Sequence, residues 1–293
     1  TAGISEMRKA GQSYSGQIVL PIEERANIQA TVATAGQENV AEDKLGILEP
    51  LRASLVLAQA GASYMTGLVG NVSIPVYSGS NVGWAGEVTA ASDGAGTFSE
   101  VKLEPKRLTA YIDVSKQFLI QDSNSAEEML KRDIVSAISN KLEATILGTA
   151  AGSATQPAGL LNGVTADTAA VTYTDFVNME ATLGEKNVRG DIKFIVSPSA
   201  KAVLKSTAKN QNSFIMEGNE VNGYPVLCTS AVAGKGIVYG NFADLVIGQW
   251  GGIDLTVDPY TQAANGKVRL VINAYFDAKP RRAEAFVKKV LKA

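Results

Sequence analysis

The chain has 293 residues and a net charge of −2 from 27 basic and 29 acidic side chains, with 45% apolar and 19% charged residues. It contains no histidine and one cysteine, Cys228, which excludes Ser-His-Asp and Cys-His catalysis, imidazole metal sites, internal disulfides and Cys-cluster metal centres. The charged fraction falls below the roughly 25% of average soluble domains, yet no apolar run is long enough to span a bilayer; either much of the surface lies against other protein chains, or this is an ordinary Ala- and Gly-rich soluble protein.

Residues 1–55 mix short apolar pieces such as Ile18-Val19-Leu20-Pro21 with polar stretches and hold no period, so an extended arm is expected, with a short helix around Glu42 to Leu48. The start at Thr1 suits methionine removal or cleavage from a precursor. No basic stretch leads into an apolar one, so cytoplasmic synthesis is expected. From Val72 to Lys116 the texture alternates: Val72, Ile74 and Val76, then Val101, Leu103, Leu108, Ala110, Ile112 and Val114. This predicts two long strands joined by about twenty Gly-, Ser- and Asp-rich residues, a hairpin with little core of its own that must find a partner surface.

The clearest helix follows. Ser125 and Glu128 form a capping box, and Met129, Leu130, Ile134, Ile138, Leu142 and Ile146 recur at helical spacing up to Gly148. At 1.5 Å per residue it would run roughly 33 Å, which suits a spine. A Gly-, Ala- and Thr-rich spacer, Gly148 to Thr172, marks a domain boundary. Beyond it, helices are expected over Asp175–Leu183 and from Ser197-Pro198 to about Ser206. Strands are expected at Ile192–Val196, Pro225–Cys228, Ile237–Tyr239, Leu245–Ile247, Ile253–Val257, Val268–Ala274 and Ala285–Val290. Helices and strands in irregular order point to an α+β fold.

Catalytic signatures are scarce. Gly234 to Gly240 has the wrong spacing for a dinucleotide loop and precedes a strand, so it reads as a turn. Ser206-Thr207-Ala208-Lys209 matches Ser-x-x-Lys without the companion motifs of such a site. The neighbouring acids Glu42/Asp43 and Glu127/Glu128 point in different directions if helical, and first-turn acids already answer the helix dipole. Residues 277–293 carry a local charge of +4 but little aromatic interleaving, so a solvated or intersubunit tail is favoured over a nucleic-acid site.

In order along the chain stand Ile74-Pro75-Val76, Trp84 and Glu87, Phe98 to Lys106, Leu108 to Ser115, Gln121-Asp122-Ser123 and Gln156-Pro157-Ala158-Gly159-Leu160-Leu161. Gly223-Tyr224-Pro225-Val226, Tyr239-Gly240-Asn241-Phe242, Val246-Ile247-Gly248, Asp258-Pro259-Tyr260 and Ala285-Phe286-Val287 follow. In that collinear series the chain resembles the major capsid proteins of tailed bacteriophages, the Hong Kong 97 type shell fold.

The resemblance implies an N-terminal arm (1–55), the start of a peripheral domain (56–71), an extended loop (72–116) and the peripheral domain with its spine helix (117–159). An axial domain (160–258) and return strands of the peripheral domain (259–293) complete it. It further implies a structural protein, not an enzyme, without cofactor or metal. Copies would form pentamers and hexamers in an icosahedral shell around double-stranded DNA held without sequence specificity, with arm and loop lying across neighbours. A maturation protease, a portal and cement proteins are implied partners, no membrane is, and the location would be the virion, assembled in the host bacterial cytoplasm. Trp84, Glu87 and Phe98 are the candidate intersubunit contacts. The family's lysine–asparagine crosslink needs an amine near the loop tip; no lysine occurs between Lys44 and Lys102, so a shell without it is expected. An encapsulin-like nanocompartment shell is the alternative within the fold, and a histidine-free α+β enzyme or small-molecule binder the alternative of another class.

Overall fold

The computed structural model describes residues 55–90, 92–117 and 125–292. The expected arm, its helix at Glu42–Leu48 and the Gln121-Asp122-Ser123 segment therefore lie outside the described residues, Leu55 excepted. The side chains of Ser125 and Glu128, the expected capping box, lie outside them too. The fold is α+β, as the mixed periodicities predict, and no described helix is long and apolar enough to cross a membrane.

A short helix, α1 (Val56–Ala60), leads into strand β1 (Ser63–Met65), then β2 (Val72–Tyr77), β3 (Phe98–Leu103) and β4 (Lys106–Ser115). The spine helix α2 spans Ser125–Ile146. Two 14-residue strands near the C-terminus, β11 (Leu245–Asp258) and β12 (Lys267–Pro280), build with β1 and β4 a four-stranded sheet in the order β1-β11-β12-β4. Ile134, Ile138, Leu142 and Ile146 of α2 are buried at three- and four-residue spacing against Leu108, Ile112, Ile272, Ala274 and Phe276 of the sheet. Each such side chain, once buried, contributes roughly 1.5–3 kcal/mol.

The signals at Leu245–Ile247 and Ile253–Val257 prove to be one strand. Its ladder with β12 runs from Leu245↔Pro280 to Asp258↔Arg269, with an irregularity between Trp250 and Asp254 where Gly251 takes φ 64°. Glycine adopts that angle without a Cβ penalty, so the strand absorbs a bulge and continues.

The long return limb needs the opposite correction. Instead of one strand through Val101–Val114 there are two, separated by the Glu104-Pro105 elbow. β3 pairs with β2 from Val72↔Leu103 to Tyr77↔Phe98, forming a two-stranded ribbon. β4 pairs with β12 from Lys267↔Ser115 to Phe276↔Lys106. The next partner would be Pro105, which has no N–H to offer, so the ladder stops there. The ribbon thus ends at Leu103, and residues 106–115 of the expected 72–116 loop belong to the body.

A second sheet orders β13-β10-β5-β9-β8. It comprises β5 (Ile192–Val196), β8 (Glu220–Val221), β9 (Tyr224–Cys228), β10 (Gly236–Asn241) and β13 (Phe286–Val290), while β6 (Ala208–Asn210) and β7 (Ser213–Phe214) pair separately as a short hairpin. Helices α3 (Tyr173–Glu185) and α4 (Pro198–Ser206) cover one face through Phe176, Met179, Leu183, Ala200 and Leu204. Ser197 caps α4 by accepting from the Ala200 amide at 3.1 Å, and Pro198 sits in its first turn, as the sequence predicts. Sheet membership crosses the expected 258/259 boundary in both directions. β11 pairs within the spine-helix sheet, and β13 joins β10 in the other sheet. One apolar cluster spans both sheets: Ile195, Val238 and Phe286 join Ile272, Phe276 and the α2 residues.

A buried carboxylate ties the cluster together. Glu143 of α2 accepts from the Val56 amide (2.8 Å) and the Thr229 hydroxyl (3.1 Å), capping α1, whose own N-cap, Leu55, has no side-chain acceptor. Burial pushes its carboxyl above the ordinary value of 4.5, against the bonds from Thr229, Val56 and Leu57 that favour the charge. The favourable share of that linkage is fully present below 4.5 and is lost as pH rises through the raised folded-state value. Glu143→Ala, which strands these donors, should lower stability by about 3 kcal/mol, roughly 10 °C in Tm by thermal melting. Glu143→Gln should gain on the wild type as pH is raised from 4 to 7 in parallel melts, about 0.5 kcal/mol or more; a constant gap would contradict the assignment.

Candidate contact surface

The ribbon is anchored at its root and unpacked at its tip. At the root, Leu103, Val246 and Trp250 form a small core with Met65, Leu68, Val72 and Ile74. The Trp250 indole N–H donates to the Gly70 carbonyl at 2.6 Å, and the Leu68 amide to the Gln249 carbonyl at 3.2 Å. Past Tyr77 and Phe98, whose rings lie 4.7 Å apart, regular pairing ends. The two legs stay together through Ser78 N to Thr97 O (3.0 Å), Thr97 N to Ser78 Oγ (2.8 Å) and Asn81 N to Gly94 O (3.0 Å). Gly96 permits this approach, because a Cβ there would lie 2.2 Å from the Gly79 oxygen.

The two tryptophans occupy opposite environments. Trp250 is 7% exposed with its N–H satisfied, whereas Trp84 projects wholly into solvent. Val82 and Val88 are as open as Trp84, and Phe98 is 79% exposed. Soluble surfaces carry scattered apolar side chains, but several on one slender element make it the candidate contact surface of the chain. Glu87 is exposed beside it. Glu100 is already engaged by Lys102 (2.6 Å) and Ser73 (2.6 Å), and those two bonds hold its carboxyl below the usual range. The structure thus places Trp84, Glu87 and Phe98 on one ribbon, and adds Val82 and Val88, lone apolar residues in a polar, glycine-rich stretch that no periodicity singles out.

A second open feature lies on the body. β4 is an edge strand, and among the described residues no strand covers its outer side. Between it and α2 runs a groove of about 330 Å³ with Leu108, Ile112, Ile134, Ile138, Asp133 and Lys141 among its walls. On the sheet's other side, Arg269 grips Asp113 with two bonds, 2.7 and 2.9 Å, next to the exposed Tyr111 ring.

The remaining motifs resolve into structural roles. Ser206 Oγ donates to the Val203 carbonyl at 3.0 Å while the Lys209 ammonium sits 4.2 Å over the Tyr173 ring, so the Ser-x-x-Lys pair makes no nucleophile and base. Gly234, at φ 59°, turns the chain into β10, as expected of the glycine-rich stretch. The basic tail is divided: Lys289 pairs with Asp167 (2.8 Å) and Asp175 (2.9 Å), and Lys279 donates to the Lys102 carbonyl at the ribbon root. Burial opposes the Lys289 charge, but its two carboxylates prevail and raise its pKa. Among the described residues no cluster of three metal-ligating side chains occurs.

The family model described as "Phage capsid family" matches residues 43–291. The major capsid protein of Halomonas phage phiHAP-1 is 30% identical over 251 residues, which cover 81% of this chain and 41% of that protein; the chain spans less than half the length of this curated relative. A solved structure described as the capsid of a native GTA particle computed with C5 symmetry superposes with a TM-score of 0.66 at 17% identity, covering 80% of this chain and 89% of that one. One from Mycobacterium phage Bobi gives 0.64 at 14% identity, covering 82% and 91%. At such identities the structures establish a common fold, the Hong Kong 97 type expected above.

Because the ribbon tip rests on backbone approach at Gly96 and not on a core, Gly96→Ala should open the tip while sparing the body. Hydrogen exchange at the Ser78 and Thr97 amides should accelerate at least tenfold, with Tm changed by under about 2 °C; unchanged exchange would refute the close-approach argument.

Proposed function

The chain belongs to the phage capsid family, a family of structural proteins, and on that premise we propose that it is a major capsid protein whose copies build an icosahedral shell of pentamers and hexamers. The carrying observation is the ribbon tip, where Trp84, Val82, Val88 and Phe98 stand exposed on an element with no core. Burying a large apolar side chain is worth roughly 1.5–3 kcal/mol, and a well-packed central aromatic more than 2 kcal/mol of binding. An apolar groove beside the open edge of β4 supplies a receiving surface of a different kind. A projection and a groove on the same chain make a head-to-tail contact, which closes into rings when the rotation per copy allows. The groove walls carry one charge of each sign, Asp133 and Lys141, so the contact rests on apolar burial and not on charge pairing with the acidic tip residues Glu87 and Asp93. The low charged fraction of the sequence, 19%, fits a protein covered by its own copies.

In this reading the shell is part of the virion and is assembled in the host bacterial cytoplasm. It encloses double-stranded DNA without sequence readout, and a protease, portal and cement proteins are its partners. The protein has no catalytic role; Trp84, Glu87 and Phe98 serve as contacts. The domain scheme carries over with the ribbon as extended loop, the spine-helix sheet as peripheral domain and the five-stranded sheet as axial domain. With no amine on the loop tip, the copies are held by buried area and polar contacts without lysine–asparagine welds.

Trp84→Ala should cut particle yield at least tenfold in negative-stain electron microscopy and leave subunit melting unchanged; wild-type yield would count against the tip as an anchor. Boiled, reduced particles should run as a single band in denaturing electrophoresis, and a ladder of multimers would overturn the uncrosslinked shell.

A further inference from the structure

The elbow between ribbon and body is built around one side chain. Asp277 of β12 is completely buried, and both its oxygens are committed. Oδ1 accepts from the Lys106 ammonium at 2.8 Å and from the Ala278 amide at 3.0 Å, while Oδ2 accepts from the Glu104 amide at 3.1 Å. Its place in the ladder explains the arrangement. Phe276 pairs with Lys106, and the position opposite Asp277 falls to Pro105, which ends strand pairing. From there β12 continues on β11 alone, through Asp277↔Gly248 to Pro280↔Leu245. The carboxylate replaces the lost partner, catching the chain on both sides of the proline: the Glu104 amide before it and the Lys106 ammonium after it.

A buried ion pair is a weak source of net stability, since apolar replacements of similar volume often do as well. What it does well is select one geometry, because each donor must arrive from a set direction or be left unpaired. Lys106 is itself nearly buried, so water cannot substitute for either partner. Lys279 Nζ also donates to the Lys102 carbonyl at 2.6 Å, and the apolar root of Leu103, Val246 and Trp250 holds the ribbon's base; Asp277 adds the directional contacts at the turn between that base and β4.

We propose that Asp277 is the positioning residue that sets the angle of the ribbon to the body, and thereby the angle at which successive copies meet. The second half rests on the shell reading above. Asp277 is thus a determinant of shell curvature that touches no neighbouring copy.

The test uses the full chain with Cys228→Ser and spin labels on Val88→Cys at the ribbon tip and Glu185→Cys on the body. Pulsed EPR of the subunit should give one narrow distance. In Asp277→Asn and in Lys106→Met/Asp277→Asn, which removes the buried charges together, the distribution should broaden at least twofold. Lys106→Arg should keep it narrow. Particles from the broadened variants should vary in diameter where wild-type particles are uniform. Any folded member of the Asn series with the wild-type distribution overturns the assignment, and so does loss of folding in all variants including Lys106→Arg, which would reduce the pair to fold stability. A broadened ribbon with no wild-type shells would sink the shell reading and leave the elbow standing; uniform shells from a broadened variant would remove the curvature claim.

Discussion

The apolar seam between the spine helix and the inward face of the four-stranded sheet supports everything else in the molecule. Ile134, Ile138, Leu142 and Ile146 lie along Leu108, Ile112, Ile272, Ala274 and Phe276, and the same cluster reaches Ile195, Val238 and Phe286 in the other sheet. A helix of 22 residues is stabilised far more by such a face than by its own propensity. Because one cluster serves both sheets, the body can carry a load applied at a projecting element without a soft joint between layers. The proposed shell would call on that rigidity, since each copy in a shell transmits force to its neighbours.

The ribbon obeys the opposite logic. Two strands bury too little to be stable alone, so its rigidity is borrowed from the root around Trp250 and from the elbow at Asp277. Its tip carries apolar side chains that stand exposed among the described residues. In an isolated soluble protein this would be an aggregation hazard; in an assembling one it is unspent binding surface.

Buried polar groups mark the places where the fold must choose one arrangement among several. Glu143 joins the spine helix, α1 and the loop after β9, and Asp277 joins the ribbon, β4 and β12. Hydrophobic burial is indifferent to modest slips, whereas a carboxylate with directional donors is not. Both sit where elements distant in sequence meet.

Local periodicity, caps and turn residues are properties of neighbouring residues, and they were readable. The α2, α3 and α4 helices, most strands and the turn at Gly234 all follow from residue order. The collinear motifs also pointed to the family. Strand partnership is decided by residues far apart, and there the reading ran out. Val101 to Val114 alternates whether it is one strand or two, and only the register with β12 reveals that Pro105 ends a ladder. The glycines from Gly248 to Gly252 look like a break until a bulge at Gly251 lets the strand run on. The pairing of Asp277 with Lys106 and of Glu143 with Thr229 left no trace in spacing, because a buried carboxylate is held by whatever donors the tertiary fold carries to it. By itself the sequence determined which elements form and what kind of protein they build; the tertiary structure decided which strands share a sheet and where the ribbon begins, because pairing across long separations depends on packing that no local pattern encodes.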